Sequence, residues 1–305
     1  MIKTDLYEEV IFQTIKKGAT VISDDVKEAF EKAIDKETNL DAKKGLQATY
    51  DSMQLSAVRQ NPLCVDTGWP IFYFKVGNKC ELQGGFMALE EATRRAVARA
   101  TDKGYLRATM KHPLTGFDPG NNIGMNIPDF TYKFVEGDSI EVNYVAKGGG
   151  SECFGGTRHK IVAFADGIKG IEKFILDCFV ASTRAGAVCP PSVLGIGIGG
   201  TANVAANLAK EAACLRTVGS KHPEPMFRKI EEDLYEALNS LGIGILGAGG
   251  QTSVLGVNVE YAYTHIAGIA CATSTNCMVA RRASSRIDAD GTVTVMKSPN
   301  WFEGR

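Results

Sequence analysis

Over residues 1–60, apolar residues recur among polar ones with the spacing of amphipathic helices. Residues 26–34 place an apolar side chain at about every third or fourth position, and the polar run 23–25 precedes them as a helix-start signal. Residues 41–58 repeat this pattern, and Pro62 ends it because proline disfavours helical backbone in the residue before it. The pattern predicts a helical N-terminal region.

The pattern then changes from one element to the next. Residues 71–76 have the aromatic and β-branched composition of a strand, and residues 86–103 return to helical spacing. Residues 112–128 are interrupted by prolines and glycines and predict a loop. Residues 130–134 and 139–146 predict two strands that pair with each other around the turn between them.

The second half of the chain contains three helical and two strand-like segments. Helical spacing covers residues 168–185, 202–214 and 226–241, whereas residues 254–261 and 266–272 are typical of strands. No segment has the composition of a linker, and no internal repeat is visible. We therefore expect an α+β fold, a single large mixed domain with a helical N-terminal region.

Glycine is unevenly distributed along the chain. Most of the 33 glycines lie in the second half, with clusters at 148–150, 155–156, 195–200 and 242–250. Residues 195–200 fit the G-x-G-x-x-G pattern of a dinucleotide-binding turn, but no acidic residue follows at the end of a second strand, where such a site needs one. The alternative is that these glycines allow tight turns and close packing of a helix on a strand.

Composition narrows the range of functions. The chain has 305 residues, and its 34 Lys and Arg nearly balance 35 Asp and Glu, which gives a net charge of −1. This balance argues against a broadly basic nucleic-acid surface. No long apolar run is present, and the N-terminus carries acidic side chains rather than the basic start of a signal peptide. We therefore expect a cytoplasmic protein that binds neither nucleic acid nor membrane and keeps its thiols reduced.

Eight cysteines in a reducing compartment need an explanation other than disulfides. Cys64, Cys189 and Cys277 each adjoin a turn or the end of a strand-like segment. Three such thiolates could hold three irons of a 4Fe–4S cluster and leave the fourth iron open as a Lewis acid. The alternative is that all three are inert thiols. The other five are expected to be structural: Cys80, Cys153, Cys178, Cys214 and Cys271.

Polar residues near these cysteines have two interpretations. Asp66 follows the first cysteine, Arg107 follows a helix, and the glycine-rich run 147–152 offers backbone N–H groups to an anion. His265 lies between two strand-like segments. Each could act on an anionic substrate, but a lone histidine or arginine is also commonly structural or solvated. Two further arginines could simply be surface charge: Arg281 and Arg282.

Five segments together resemble the class I, iron–sulfur-dependent fumarases. They are, in chain order, 64–68 (Cys-Val-Asp-Thr-Gly), 147–152, 189–201, 264–268 and 276–277. The resemblance is to the N-terminal catalytic domain of that family, which in two-chain members such as L(+)-tartrate dehydratase is the α subunit. It covers residues 5–287.

The resemblance also implies a division of the chain. Residues 1–60 would be a helical N-terminal region of the same domain, residues 61–290 the cluster-binding catalytic domain, and residues 291–305 a C-terminal tail.

The resemblance implies roles for seven residues. Three match the ligands of the 4Fe–4S cluster: Cys64, Cys189 and Cys277. Two match catalytic side chains, Asp66 and His265, and a base from a partner chain is a third source for proton removal. Two match substrate contacts, Arg107 through its side chain to a carboxylate and Gly150 through its backbone.

Two positions depart from the family pattern. Val65 stands where the family usually has a glutamine that contacts substrate, and Cys153 stands where asparagine is common. A lost polar contact can alter discrimination between similar diacids, so both departures bear on the choice of substrate.

The resemblance implies a hydro-lyase that dehydrates a 2-hydroxy dicarboxylate, malate to fumarate first. Conversion of L(+)-tartrate to oxaloacetate and a mesaconate-type reaction are alternatives. A separate β subunit would complete the active site, in an α2β2 heterotetramer, and this chain alone would be nearly inactive. Alternatives from other classes are an NAD(P)-binding oxidoreductase and a non-catalytic scaffold subunit.

Overall fold

The computed structural model of the protein describes residues 1–153, 156–186 and 188–303. Gly155 of the second glycine cluster and the last two residues of the tail lie outside this range. The chain divides into two compact units. Unit 1 contains Met1–Asp24, Ser52–Lys147 and Arg281–Arg305, and unit 2 contains Asp25–Asp51 and Gly148–Ala280.

Eight α-helices occur in the described residues. They are α1 (Thr4–Thr20), α2 (Asp24–Lys36), α3 (Leu40–Arg59), α4 (Gly85–Asp102), α5 (Gly149–Cys153), α6 (Gly167–Arg184), α7 (Ala202–Leu215) and α8 (Pro225–Ser240). The expectation of a helical N-terminal region is confirmed, because the first three of these helices occupy nearly all of the chain up to residue 59. Within the described part of the chain, no helix is long and apolar enough to cross a membrane.

Nine β-strands alternate with these helices in the described residues. They are β1 (Trp69–Gly77), β2 (Asp129–Val135), β3 (Ile140–Lys147), β4 (Thr157–Val162), β5 (Ser192–Ile198), β6 (Val254–Tyr261), β7 (Ile269–Asn276), β8 (Arg282–Ile287) and β9 (Val293–Met296). The combination of helices with two mixed sheets confirms the predicted α+β class.

The five-stranded sheet of unit 1 has the order β2-β1-β3-β8-β9. Strand β1 is parallel to β2 and antiparallel to β3, so it lies between them. The prediction that 130–134 and 139–146 pair with each other is therefore wrong. The turn between them instead bonds to the chain at the end of β1, where Gly77 N donates to Ser139 O at 2.8 Å and Lys79 N donates to Gly137 O at 2.8 Å.

The core of unit 1 is built on helix α1, helix α4 and the sheet. Tyr7, Ile11 and Ile15 lie four residues apart on one face of α1 and are completely buried. Gly18 continues this face, and a Cβ at Gly18 would lie only 2.8 Å from Cδ1 of Tyr144 in β3. The missing side chain therefore lets α1 approach the sheet closely.

The four-stranded sheet of unit 2 has the order β4-β7-β5-β6. Strand β5 is antiparallel to β7 and parallel to β6, and helix α7 packs on β5. A Cβ at Gly195 or Gly197 would collide with the backbone of α7 at Ala209 or Ala205. Close packing of a helix on a strand therefore explains these two glycines of the G-x-G-x-x-G pattern.

Strand boundaries in the second half differ from the prediction. Strand β7 begins at Ile269 and runs to Asn276, so it is displaced toward the C-terminus relative to the predicted 266–272. Four strands were not predicted: β4, β5, β8 and β9. Glycines hide the pattern of β5, and buried serines hide that of β8, in which Ser284 and Ser285 are almost fully buried.

Candidate active site

The first cysteine motif leads directly into strand β1 of unit 1. Cys64 is half-buried, and Val65 beside it is 81% exposed. Asp66 accepts a hydrogen bond from Gly68 N at 3.1 Å, and Gly68 has a φ of +72°, which favours glycine. The motif is thus a tight turn that presents Val65 outward and holds one oxygen of the Asp66 carboxylate.

Thr67 joins this turn to Arg107, 40 residues later. Its hydroxyl accepts a hydrogen bond from Arg107 N at 2.9 Å and donates to Arg107 O at 3.3 Å. Asn122 donates to the same carbonyl at 2.9 Å. Unit 1 therefore brings together three segments that the sequence places far apart, and two of the predicted site residues, Asp66 and Arg107, lie on them.

Buried cationic side chains lie at the end of the unit 1 sheet where strand β1 begins. Trp69 at the start of β1 pairs with Lys147 at the end of β3, and Ala146 N donates to Arg281 O at 3.0 Å. Lys147, Arg281 and Arg282 are all at least 96% buried. The interpretation of the two arginines as surface charge is therefore wrong: Arg282 begins the buried strand β8, and Arg281 directly precedes it.

The second and third cysteine motifs lie side by side in unit 2. Cys189 precedes β5 and Cys277 follows β7, and these antiparallel strands pair Val193 with Asn276. Met278 N donates to the carbonyl of Cys189 at 3.2 Å. Sheet pairing therefore places two of the three predicted ligands at one end of the sheet, both half-buried.

Gly150 lies in the short helix α5 near this same end of the sheet. Strand β4, which follows α5, pairs Thr157 with Ser274 near the end of β7. Glu152 of α5 forms an ion pair with Lys210 at 2.8 Å and accepts a hydrogen bond from Thr157 at 3.3 Å. These contacts anchor α5, and with it the backbone of Gly150, beside the segments that carry the two cysteines.

His265 lies at the opposite end of the unit 2 sheet. It precedes β7, whereas Cys277 follows that strand, and eight residues in extended conformation span roughly 25 Å. The imidazole is exposed, and its Nδ1 accepts a hydrogen bond from Ala267 N at 3.1 Å. In the neutral ring the proton is then on Nε2. Unit 2 does not bring His265 together with Cys189 and Cys277.

The environments of the cysteines separate the candidate ligands from most of the others. None of the eight, all of which are in described residues, forms a disulfide. Burial raises the pKa of the Cys271 thiol to about 12 and that of Cys178 to about 11, and it also raises the pKa of Cys80. Cys214 is completely buried. A thiol with a raised pKa is a poor source of the thiolate that binds metal, so Cys271, Cys178 and Cys80 suit a structural role. Complete burial suits Cys214 to the same role.

The geometry and the donor chemistry of the described residues differ in what they indicate about a metal site. Among the residues that the structure describes, no group of three or more His, Cys, Asp or Glu side chains converges as a metal site. The donor chemistry nevertheless suits a cluster, since Cys189 and Cys277 have free thiols, are half-buried and are joined through a hydrogen bond of adjacent backbone.

Several residues of the site were not predicted. Thr67 was seen only as part of the cysteine motif, Asn122 as part of a glycine-rich loop, and Lys210 as an ordinary helix residue. Their partners are 15 to 58 residues away along the chain. A pattern of local spacing holds no signal for such contacts.

The chain is similar to known proteins of one family over most of its length. The family model described as fumarate hydratase (Fumerase) matches residues 8–286. A chain from Methanocaldococcus jannaschii provisionally named L(+)-tartrate dehydratase subunit alpha is 37% identical over 284 residues, which cover 92% of this chain and 98% of that one. The L(+)-tartrate dehydratase subunits alpha of Escherichia coli strains UTI89 and K12 are 36% and 34% identical over 283 residues, or 92% of this chain and 91% of each relative. The chain therefore belongs to the fumarate hydratase (Fumerase) family.

Proposed function

We propose that this protein is the alpha subunit of a hydro-lyase that dehydrates a 2-hydroxy dicarboxylate, with malate and fumarate as the first substrate pair. The match of the fumarate hydratase family model to residues 8–286 carries this proposal. In the reaction, malate loses a proton from C3 and hydroxide from C2, and the products are fumarate and water. The C3 proton is weakly acidic and hydroxide is a poor leaving group, so the site must assist both departures.

Cys64, Cys189 and Cys277 are the proposed ligands of a 4Fe–4S cluster. Such a cluster, held by these three thiolates, would supply Lewis-acid chemistry toward a hydroxyl leaving group. The free thiols of these residues support the assignment, as does the location of each in a loop that leads into or out of a strand. In this proposal residues 61–290 form the cluster-binding catalytic part of the chain.

The chain's own polar groups bind and orient the substrate. Arg107 is exposed, and its planar guanidinium suits a bidentate contact with a carboxylate. Gly150 offers backbone N–H to a second oxygen of the substrate. Asp66 is the preferred base for the C3 proton, because the turn that carries it is bonded to Arg107 through Thr67.

The active site is completed by a partner. Relatives of this chain are named alpha subunits, which implies a second subunit, and we propose a β subunit in an α2β2 heterotetramer. We also propose a cytoplasmic location, where free thiols such as those of the eight cysteines persist.

L(+)-tartrate is the second candidate substrate, with oxaloacetate as the product. The names of the relatives from Methanocaldococcus jannaschii and Escherichia coli favour it. Val65 is 81% exposed at the turn that carries Asp66, and its side chain cannot hydrogen-bond to a second substrate hydroxyl. The choice among malate, L(+)-tartrate and a methylated diacid such as mesaconate therefore rests on direct assay.

A panel of diacids tests the proposed function directly. The chain should be co-expressed with its β subunit without oxygen, and water loss or addition should be measured with malate, fumarate, L(+)-tartrate and mesaconate. We expect the highest kcat/KM with malate and fumarate, and nearly no activity for the chain alone. Activity with none of the four would overturn the function, and NADH binding in its place would support an oxidoreductase.

We propose that His265 acts at the cluster end of the unit 2 sheet from a second copy of the chain, because the length of β7 separates it from Cys277 in its own chain. His265→Asn and Cys277→Ser chains should each be inactive, but co-expression should restore roughly a quarter of wild-type activity through mixed pairs in a symmetric assembly. Activity no higher than that of either variant would contradict a role in trans. Full activity of His265→Asn alone would remove His265 from the mechanism.

A further inference from the structure

We propose that Thr67 and Asn122 are positioning residues that hold Arg107 for a substrate carboxylate. This inference rests on the substrate-binding role of Arg107 in the proposed function. Arg107 lies in the segment 103–128, which is fully described and contains no helix or strand. Loops of this length without regular structure are uncommon in compact folds and are often functional. Such a loop needs specific contacts to hold one side chain in place.

Both backbone groups of Arg107 are held by buried side chains. The hydroxyl of Thr67 bonds to Arg107 N at 2.9 Å and to Arg107 O at 3.3 Å. The amide of Asn122 donates to the same oxygen at 2.9 Å. Thr67 is 3% exposed and Asn122 is 1% exposed. Bonds that are shielded from water in this way resist local opening, so the Cα position of Arg107 is well defined.

Asn122 makes further bonds that fix the loop around Arg107. Its Oδ1 accepts from Thr109 N at 2.9 Å and from Met110 N at 3.3 Å, and its Nδ2 also donates to Thr101 Oγ1 at 3.0 Å. Asn122 has a φ of +60°, a conformation that asparagine tolerates better than most residues. One side chain therefore organises the chain on both sides of Arg107.

Within the described part of the chain, the guanidinium of Arg107 lacks the hydrogen-bond partners that its backbone has. Arg107 is exposed, and its guanidinium forms no ion pair or hydrogen bond with the residues that the structure describes. A rigidly held backbone beneath a side chain that is open to solvent is the arrangement expected for a group that binds a ligand. Because Thr67 belongs to the turn of Cys64 and Asp66, its hydroxyl also sets the location of Arg107 relative to that turn.

Thr67→Val tests this role, since valine keeps the shape of threonine but lacks the hydroxyl. The variant should be studied in the anaerobic complex with the β subunit, by amide hydrogen exchange at Arg107 and by kinetics with malate. We expect exchange of the Arg107 amide to accelerate about tenfold or more and kcat/KM to fall about tenfold, mainly through KM, with normal cluster absorbance. Thr67→Ser, which keeps the hydroxyl, should restore both values to within about threefold of wild type.

Two further variants separate positioning from general stability. Thr93→Val removes a completely buried hydroxyl in α4 that bonds to Leu89 O at 2.7 Å, and it should leave KM and the exchange of Arg107 unchanged. Asn122→Asp keeps the acceptor oxygens but cannot donate to Arg107 O, so it should behave like Thr67→Val.

The outcomes of these experiments are distinguishable. Accelerated exchange with unchanged kcat/KM would overturn the positioning role, as would unchanged exchange. Loss of the cluster absorbance in Thr67→Val would show that Thr67 supports the Cys64 turn instead. If the wild-type complex dehydrates no diacid, the proposed function fails, and the substrate role of Arg107 fails with it. Accelerated exchange of the Arg107 amide in Thr67→Val would still show that Thr67 holds the backbone of Arg107.

Discussion

Replacement of Cys277 by serine should abolish both the cluster and the activity of the enzyme. A serine hydroxyl is a hard, weakly acidic donor and replaces thiolate poorly at iron, so the broad absorbance at about 400 nm should disappear from anaerobically purified protein. Activity with malate should fall by at least about a thousandfold, because hydroxide then leaves without a Lewis acid. Cys64→Ser and Cys189→Ser should have the same two effects.

Cys178→Ser is the matched control for these variants. Cys178 lies in the same unit as Cys189 and Cys277 and is half-buried like them, but burial raises the pKa of its thiol to about 11. We expect this variant to keep its iron, its labile sulfide and most of its activity. Normal iron and sulfide content in all three ligand variants would contradict the assignment of Cys64, Cys189 and Cys277.

Arg107→Met should reduce kcat/KM with malate by about a hundredfold to a thousandfold. The loss corresponds to about 3–4 kcal/mol, the energy of a bidentate hydrogen-bonded contact between charged groups. Cluster content should remain normal, since Thr67 and Asn122 contact only the backbone of Arg107 and do not depend on its side chain. Steady-state kinetics together with iron analysis measure both effects.

Arg95→Met controls for the loss of an arginine from the same unit. Arg95 is half-exposed and forms a surface ion pair with Glu8 at 2.6 Å. Exposed ion pairs contribute about 1 kcal/mol or less, so this variant should keep its activity within about twofold. A change of less than threefold in Arg107→Met would rule out a direct contact between Arg107 and substrate.

Local patterns predicted most of the helices and strands but not how the strands pair. Helices α2–α4 and strand β1 have clear spacing or composition, and each lies close to its predicted range, whereas α1 was predicted only as part of a helical N-terminal region. Strands β2 and β3 were also located correctly, but their pairing was not, because β1 enters the sheet between them. A short turn between two strands favours a hairpin, and only the partners available in the folded sheet decide against it.

The segments that carry the chemistry were predictable, and their supporting contacts were not. The motifs around Cys64, Cys189 and Cys277 are contiguous in sequence, so a family resemblance finds them. The bond from Thr67 to Arg107 and the ion pair between Lys210 and Glu152 join residues 40 and 58 positions apart. Such pairs form only when loops from different elements meet.

The sequence by itself determined the α+β class, the family and the residues that could perform the chemistry, because these depend on local spacing and on contiguous motifs. The tertiary structure decided which of those residues meet. It buried Arg281 and Arg282, brought Cys189 beside Cys277, and placed His265 at the other end of the same sheet. The physical reason is that burial and proximity arise from strand order, and strand order depends on the packing of residues that are distant in the chain.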